Sequence, residues 1–240
     1  MKEPSKYKLT KKLPTVDVDK SLLKNIETYL LTGIPKLISV SEEEIRGKYY
    51  TIIKENSGEF SLGLIENYEN DLFPDNTESI SVGFRIWDNQ KKLDVDIRIR
   101  FSEKMYSKID IEITDINPKE IAVGISTKLE DIIHQKKNLN FFFHPSLFIE
   151  ISLGLLGYII PATSAFVFKY NYKIAIGLLI FGVLIASYFW LFKKLKPYSS
   201  FNTNRQNMND KLANYLLLGI LSFLIFTTGL TLIRKYLIGQ

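Results

Sequence analysis

The chain has 240 residues, with 31 Lys and Arg, 26 Asp and Glu, and a formal net charge of +5. Residues 1–143 carry 22 basic and 24 acidic side chains, whereas residues 144–240 carry nine and two. The positive excess therefore belongs to the apolar part of the chain, where basic residues flank hydrophobic runs, and does not indicate a nucleic-acid-binding surface. Cysteine is absent, which excludes disulfides, iron–sulfur clusters and Cys-ligated zinc.

The amino-terminal segment is rich in lysine and precedes a predicted helix. Residues 1–20 contain six lysines and no apolar run of seven or more, so we expect no cleavable signal peptide and an amino terminus in the cytoplasm. Asp19 then reads as the N-cap of a helix from Lys20 to about Leu31, which Gly33 would end.

Five segments with alternating apolar and polar residues follow, and they predict an antiparallel sheet of about five strands. Their sequences are KYYTIIKE, EFSLGLIE, SISVGFRIW, LDVDIRIRF and SKIDIEITDI. A second helix, from about Pro118 to Lys137, has an apolar side that could cover one face of this sheet. Residues 1–143 are therefore predicted to form an α+β cytoplasmic domain, a sheet covered by two helices, that senses or binds a ligand.

The other face of the predicted sheet carries charge. Guanidinium groups fit phosphate oxygens and an aromatic ring can stack on a base, so this face is a candidate ligand site. The alternative is a solvated surface that neutralises itself, because acidic residues are equally frequent there. The candidate ligand-binding residues are Arg85, Trp87, Lys91, Lys92, Arg98 and Arg100.

Two pairs of carboxylates lie on the same charged face, Asp94 with Asp96 and Asp110 with Glu112. Such pairs suit a metal-dependent phosphoryl-transfer site, or a ladder of salt bridges with the neighbouring arginines. The chain has no Gly-rich phosphate loop, no GxSxG and no HExxH motif. We therefore predict no enzymatic activity, no metal and no cofactor.

Three apolar runs, residues 147–168, 174–192 and 212–233, are each long enough to cross about 30 Å of hydrocarbon. They predict an all-α membrane domain of three transmembrane helices over residues 144–240. The basic connection 193–211 favours a multi-pass protein of the inner membrane with its amino-terminal domain in the cytoplasm.

Small and polar residues form stripes along two of these runs. A stripe of this kind indicates either close packing between helices or a wall that faces water. Glu150 could face protein or water, or could simply reach the membrane interface. The candidate pore or helix-packing residues are Glu150, Gly154, Gly157 and Ser164 in the first run, and Asn214, Ser222 and Thr228 in the third.

Three helices cannot enclose an aqueous path within one subunit, so a channel would require several copies around an axis. We therefore predict a homo-oligomer, with a tetramer as the starting hypothesis, whose cytoplasmic domains bind a ligand that gates the pore. Two alternatives stay open at this point: a non-conducting scaffold anchored in the membrane, and a membrane-bound phosphoryl-transfer enzyme.

The layout, an α+β domain that passes through Asn138 to Pro145 into a few helices, resembles the membrane effectors of bacterial antiviral defence. It is most similar to the channel component of Hailong systems, in which a soluble domain binds short single-stranded DNA and holds the pore shut. This resemblance implies a homo-oligomeric ion channel in the lipid bilayer, a single-stranded DNA or nucleotide signal, and cell death on opening.

Overall fold

A computed structural model describes residues 4–38, 40–88, 93–145, 147–154, 180, 183 and 187–237. Six strands form the main sheet, and all of its neighbouring pairs are antiparallel in the order β1-β7-β6-β5-β3-β4. The strands are β1 (Ser5–Lys12), β3 (Tyr49–Glu55), β4 (Gly58–Leu62), β5 (Thr77–Asp88), β6 (Leu93–Ser102) and β7 (Lys108–Asp115). A short strand, β2 (Val16–Val18), lies outside this sheet.

The sixth strand, β1, is the one that the sequence analysis missed. It forms an edge of the sheet and pairs with β7 over its full length. Only Tyr7 and Leu9 supply apolar side chains toward the core, while lysines line its other side. Lysines are a common means of protecting an edge strand against further pairing, and here they obscure the alternation that marks a strand.

Helices cover one face of the sheet. The helix α1 (Lys20–Thr28) begins at Asp19, whose carboxylate accepts a 2.8 Å hydrogen bond from the Leu22 amide, and continues as a π-helical turn to Gly33. Two short helices follow, α2 (Pro35–Ile38) and α3 (Glu42–Arg46). The longer α4 (Pro118–His134) packs against β1 and β7. The predicted helix starts at Lys20 and Pro118 are thus confirmed.

The core lies between these helices and the inner face of the sheet. Alternation in β5, β6 and β7 predicted the inward-facing residues, and the structure confirms them as buried. They are Ile80, Val82, Phe84, Ile86, Leu93, Val95, Ile97, Ile99, Phe101, Ile109, Ile111 and Ile113. The opposite face of the sheet is open and, apart from Ile52 and Trp87, mainly polar and charged over its described residues.

The carboxy-terminal part differs from the predicted all-α membrane domain. It contains α5 (Leu147–Gly154), a helical segment at residues 187–195, a strand β8 (Ser199–Phe201) and the long helix α6 (Asn204–Leu237). Strand β8 pairs in parallel with β2, so part of the basic connection 193–211 belongs to the amino-terminal fold. Ser199 and Phe201 of β8 are buried against the amino-terminal domain, and they can occupy these sites only once that domain has folded. The prediction of an all-α domain over residues 144–240 is therefore wrong.

The prediction of three transmembrane helices also requires correction. Within the described residues, α6 is the one helix long and apolar enough to cross a membrane, over Asn204–Thr227. The predicted spans 147–168 and 174–192 lie largely outside the described residues. Only 6% of the apolar window of α6 is buried, whereas the core helix of a soluble protein is mostly buried.

Candidate functional site

The charged face of the sheet is ordered in rows, because residues opposite each other on neighbouring strands point the same way. At one end Trp87 of β5 lies opposite Asp94 of β6. In the next row, Arg85 lies opposite Asp96, which in turn lies opposite Glu112. Toward the other end, Arg100 lies opposite Lys108, and Lys108 lies opposite Lys12 of the edge strand.

The carboxylates of this face are engaged by cations. Lys6 bridges Glu112 and, at 3.8 Å, Asp94; Lys108 Nζ lies 2.6 Å from Asp110. The contact with Lys6 lowers the pKa of Glu112. Further along the face, Arg85 Nε lies 3.9 Å from Asp94 and Arg98 lies 3.7 Å from Asp96. This arrangement is the salt-bridge ladder, one of the two interpretations of the paired carboxylates.

The other interpretation, a metal centre, finds no support in the geometry. Among the residues that the structure describes, no group of three or more His, Asp or Glu side chains is placed to hold a metal ion. Burial alone would raise the pKa of Asp110, but hydrogen bonds from Lys108 and Thr10 outweigh this effect and lower it. Asp110 is thus held ionised by protein cations and hydroxyls.

A glycine in the middle of the charged face allows a hydrogen bond to cross the central strand. Gly83 of β5 lies between Arg98 of β6 and Tyr50 of β3 in one row. Because Gly83 has no side chain, the Arg98 Nε can donate a hydrogen bond across β5 to the Tyr50 hydroxyl, 3.2 Å away. This contact raises the pKa of Arg98 and fixes its guanidinium over the sheet.

The sequence-predicted ligand residues do not converge on one point. Trp87 and Ser81, the residue opposite Arg100, are six positions apart on β5, which corresponds to about 20 Å along the strand. Trp87 and Arg85 therefore lie at one end of the face and Arg100 at the other. Lys91 and Lys92 lie outside the described residues.

Sequence reasoning missed two basic residues next to Arg100. Lys12, Lys108 and Arg100 stand side by side on three adjacent strands, and like charges directly opposite each other destabilise a sheet. Asp110 pairs with Lys108 and offsets part of this repulsion, and an anion bound over the row would offset the rest. The alternating lysines of Ser5–Lys12 were the signal that could have revealed the row, had the segment been identified as a strand. We call these three residues the cationic row.

The cationic row adjoins the connection to α6. The Lys12 ammonium lies 4.8 Å from the ring centroid of Tyr106 and 5.7 Å from that of Tyr198. Tyr198 is the residue before β8, and its hydroxyl donates a 2.7 Å hydrogen bond to the Leu13 carbonyl. A change at the cationic row can therefore reach β8 through one side chain.

Buried polar contacts fasten the connection to the sheet domain; we call residues 196–206, together with these contacts, the junction. Asn140 is almost fully buried, and its amide donates 2.9 Å hydrogen bonds to the Pro197 carbonyl and the Ser200 hydroxyl. The hydroxyls of Ser107 and Ser199, both fully buried, lie 2.6 Å apart. Each of these groups would be costly to bury alone, so the junction is held in one arrangement.

The first turns of α6 belong to the same junction. Arg205 Nη2 lies 3.0 Å from Glu103 at the end of the sheet, and its amide donates to Asp75. Gln206 is buried, and its side-chain amide donates to the Leu195 carbonyl at 3.0 Å. Lys196 lies 2.8 Å from Asp210. From Leu212 onward most of the described large apolar side chains of α6 are exposed; Leu216 and Leu217 are partly buried, and Ala213 is the last fully buried position among those described.

The structure describes the sequence-predicted pore residues only in part. Gly157 and Ser164 lie outside the described residues, and Glu150 and Gly154 lie within α5. Asn214, Ser222 and Thr228 all lie on α6, and Asn214 and Ser222 are exposed. Their role in packing or in lining a pore stays a prediction.

The phenylalanines of residues 141–143 have two different surroundings. Phe141 and Phe142 are exposed and stack on each other, with ring centroids 4.1 Å apart. Phe143 instead packs against Phe192, at 5.0 Å, in a small cluster that also holds Leu195 and Ala213. This cluster supports α6 where it leaves the sheet domain.

Comparison with protein-family models, with curated proteins and with solved structures finds no match for the chain. Its class rests on the fold itself: an α+β domain with a six-stranded antiparallel sheet, fastened to a helix of membrane-spanning length.

Proposed function

We propose that this protein is a membrane effector of the channel type, whose copies assemble into a homo-oligomer around α6. In this proposal α6 crosses the inner membrane and the sheet domain lies on its cytoplasmic side. The basic residues of the connection before α6, Lys193, Lys194 and Lys196, support this orientation, since Lys and Arg accumulate on the cytoplasmic side.

The observation that carries the proposal is the junction. A simple anchor requires only a flexible linker, whereas here the junction is fastened by a strand pairing, buried hydroxyls and ion pairs. Ordering such a segment costs conformational entropy, which its contacts must offset. An ordered junction can transmit a conformational change, so it favours a protein in which ligand binding to the sheet domain changes the position of α6.

The ligand in this proposal is a phosphate-bearing signal, a nucleotide or a short single-stranded DNA, bound over the cationic row. Lys12, Lys108 and Arg100 provide the charge, and Lys12 adjoins Tyr198 of the junction. A ligand can shift a closed–open equilibrium only through different affinities for the two states, so movement of Lys12 with the junction would provide the coupling. The resemblance to Hailong effectors implies antiviral defence and cell death on opening.

A conduction path in this proposal requires several copies, because one helix encloses nothing. Asn214, Ser222 and Thr228 lie within about 80° of a common line along α6, and this polar side would face the axis. A tetramer is the simplest starting assembly. Cross-linking of detergent-solubilised full-length protein measures the number of copies directly.

The test is ion flux from liposomes that contain the purified full-length chain, measured with and without an oligothymidylate. We expect the oligonucleotide to change the flux. In the double variant Arg100→Gln/Lys108→Gln, the concentration for half the effect should rise at least about tenfold, because each charge-assisted contact contributes about 1.5–3 kcal/mol. The control variant Lys119→Gln/Lys128→Gln removes the same charge from exposed positions of α4 and should behave as the native chain.

The competing function is a non-conducting scaffold anchored in the membrane. The ion pairs that neutralise much of the charged face favour it, since such a surface needs no ligand. Liposomes that stay tight under all conditions, although they contain correctly assembled protein, would favour the scaffold over the channel.

A further inference from the structure

A cavity of about 650 Å³ opens where the sheet domain meets the start of α6 and the helical segment 187–195. Its volume lies in the range of ordinary ligand pockets. Four basic side chains and one carboxylate, Glu103, line it; Arg205 pairs with Glu103, and Lys104 pairs with Glu78. The basic residues are Lys104, Lys193, Lys194 and Arg205.

The position of the cavity along α6 matches the depth of lipid headgroups. Arg205 and Asn209 line the cavity, and the exposed apolar surface begins at Leu212. The distances from these two residues to Leu212 are about 10 Å and 5 Å along the helix, at 1.5 Å per residue. A headgroup layer is about 5–8 Å thick, so the cavity would open into it if α6 crosses the bilayer.

An aromatic residue lies on the other wall of the cavity. Trp190 is 71% exposed although it is large and apolar, and it lies one turn from Lys193 and Lys194. Trp next to Lys is typical of the membrane interface, where the ring occupies the boundary and the ammonium reaches the phosphates. The exposed Phe141 and Phe142 lie in the segment that also holds the buried Asn140 of the junction.

Ion pairs orient two of the four cations of the cavity, one in the junction and one at the end of the sheet. The Arg205 guanidinium is oriented by Glu103 at 3.0 Å, and the Lys104 ammonium by Glu78 at 2.6 Å. These ion pairs hold two cations at the wall of the cavity, in fixed positions. A rigid wall of cations on one side and a Trp–Lys–Lys face on the other suits an anion with an apolar tail.

We propose that this cavity binds the headgroup of an anionic phospholipid, with its phosphate among the basic side chains and its acyl chains toward Trp190. The inference rests on the proposed membrane location of α6, and it adds a bound lipid as a structural element of the junction. A lipid in this position contacts the connection and α6 together, so its occupancy stabilises their fixed arrangement.

The test uses Trp190 as a reporter. The chain has two tryptophans, so the variant Trp87→Phe leaves Trp190 alone. This variant is reconstituted in phosphatidylcholine bilayers, into which brominated phosphatidylglycerol or brominated phosphatidylcholine is titrated, and quenching of Trp190 fluorescence is recorded. We expect half-maximal quenching at a much lower mole fraction of the brominated anionic lipid than of the zwitterionic one.

A charge-removing variant identifies the site. In Lys193→Gln/Lys194→Gln the preference for the anionic lipid should fall at least about tenfold, since each basic residue at a lipid surface contributes about 1 kcal/mol, roughly a fivefold factor. Lys119→Gln/Lys128→Gln should retain the full preference. Both charge variants carry Trp87→Phe as well. Equal quenching by both lipids in Trp87→Phe itself, or an unchanged preference after Lys193→Gln/Lys194→Gln is added, would overturn the inference.

Two further measurements complete the test. The first asks whether the bound phosphate belongs to a lipid or to a soluble molecule, and the second asks whether α6 lies in the membrane. Soluble glycerol phosphate should not restore the fluorescence; displacement of the lipid by it, or by oligothymidylate, would mean a soluble phosphate site instead. Alkaline carbonate extraction of the same membranes tests the location of α6. Protein released by carbonate contradicts the proposed function, whereas retained protein without lipid preference contradicts only the lipid site.

Discussion

Replacing Asn140 with alanine tests whether the junction is fastened as described. The substitution removes the side-chain amide of Asn140, and with it the hydrogen bonds to the Pro197 carbonyl and to the Ser200 hydroxyl. Two hydrogen bonds contribute about 1 kcal/mol each, so opening of the junction should become easier by about 2 kcal/mol. Since 1.36 kcal/mol corresponds to a factor of ten, the open population should rise about 30-fold.

Hydrogen exchange measured by mass spectrometry reads this population directly, because junction amides exchange when the segment opens. The amides of Tyr198 and Asn202 donate to the Glu103 and Val18 carbonyls, and we expect their exchange to accelerate about 30-fold. Asn67→Ala, at an exposed position, is the matched control. The reasoning is refuted if the junction amides exchange at the native rate, or if β5 and β6 accelerate equally.

Four other substitutions, at three positions, test the sheet domain and the docking of β8. Gly83→Ala should destabilise the domain by about 1–3 kcal/mol in denaturant unfolding, because a Cβ there would overlap the Ile97 carbonyl oxygen; a native midpoint would contradict the β5–β6 register. Burial raises the pKa of Glu27, so the contribution of this carboxyl to stability declines as pH rises above the ordinary carboxyl value; Glu27→Gln removes that contribution, and its melting temperature relative to the native chain should increase between pH 4 and pH 8. By contrast, Glu27→Ala leaves the buried Ile65 amide without its acceptor, 2.7 Å away, and should cost about 1–3 kcal/mol at every pH. Phe201→Ala should cost about 3–5 kcal/mol, because the ring is buried in the main core; a loss below 1 kcal/mol would mean that β8 is not docked in solution.

The sequence carried strong information wherever side chains alternate between core and solvent. In β6 every second residue from Leu93 to Phe101 is apolar and buried, and this pattern assigned both faces of the sheet correctly. Strand β1 was missed because only two of its residues point to the core, and the lysines of an edge strand resemble a solvated segment.

The carboxy-terminal part was predicted less well for a different physical reason. Three residues of β8 cannot show an alternation, and their strand conformation depends on β2, which is distant in sequence. Hydropathy identified the apolar run of α6, but the helix begins at Asn204, eight residues before that run, because Gln206 and Ala213 are buried against the junction. For the candidate ligand site, sequence identified Arg100 but not its cationic neighbours Lys12 and Lys108, because the strand order was unknown.

The pairing of β2 with β8 has a consequence for biosynthesis. The hydrogen bond from Tyr198 to Leu13 closes a loop with a sequence separation of 185 residues. At a translation rate of about 5–20 residues per second, the amino-terminal residues wait roughly 10–40 s for their partner. During that interval Leu13, Val16 and Val18 lack the neighbour that later buries them, so the nascent chain exposes apolar side chains to which chaperones can bind. The domain that leaves the ribosome first is thus among the last parts of the molecule to be finished.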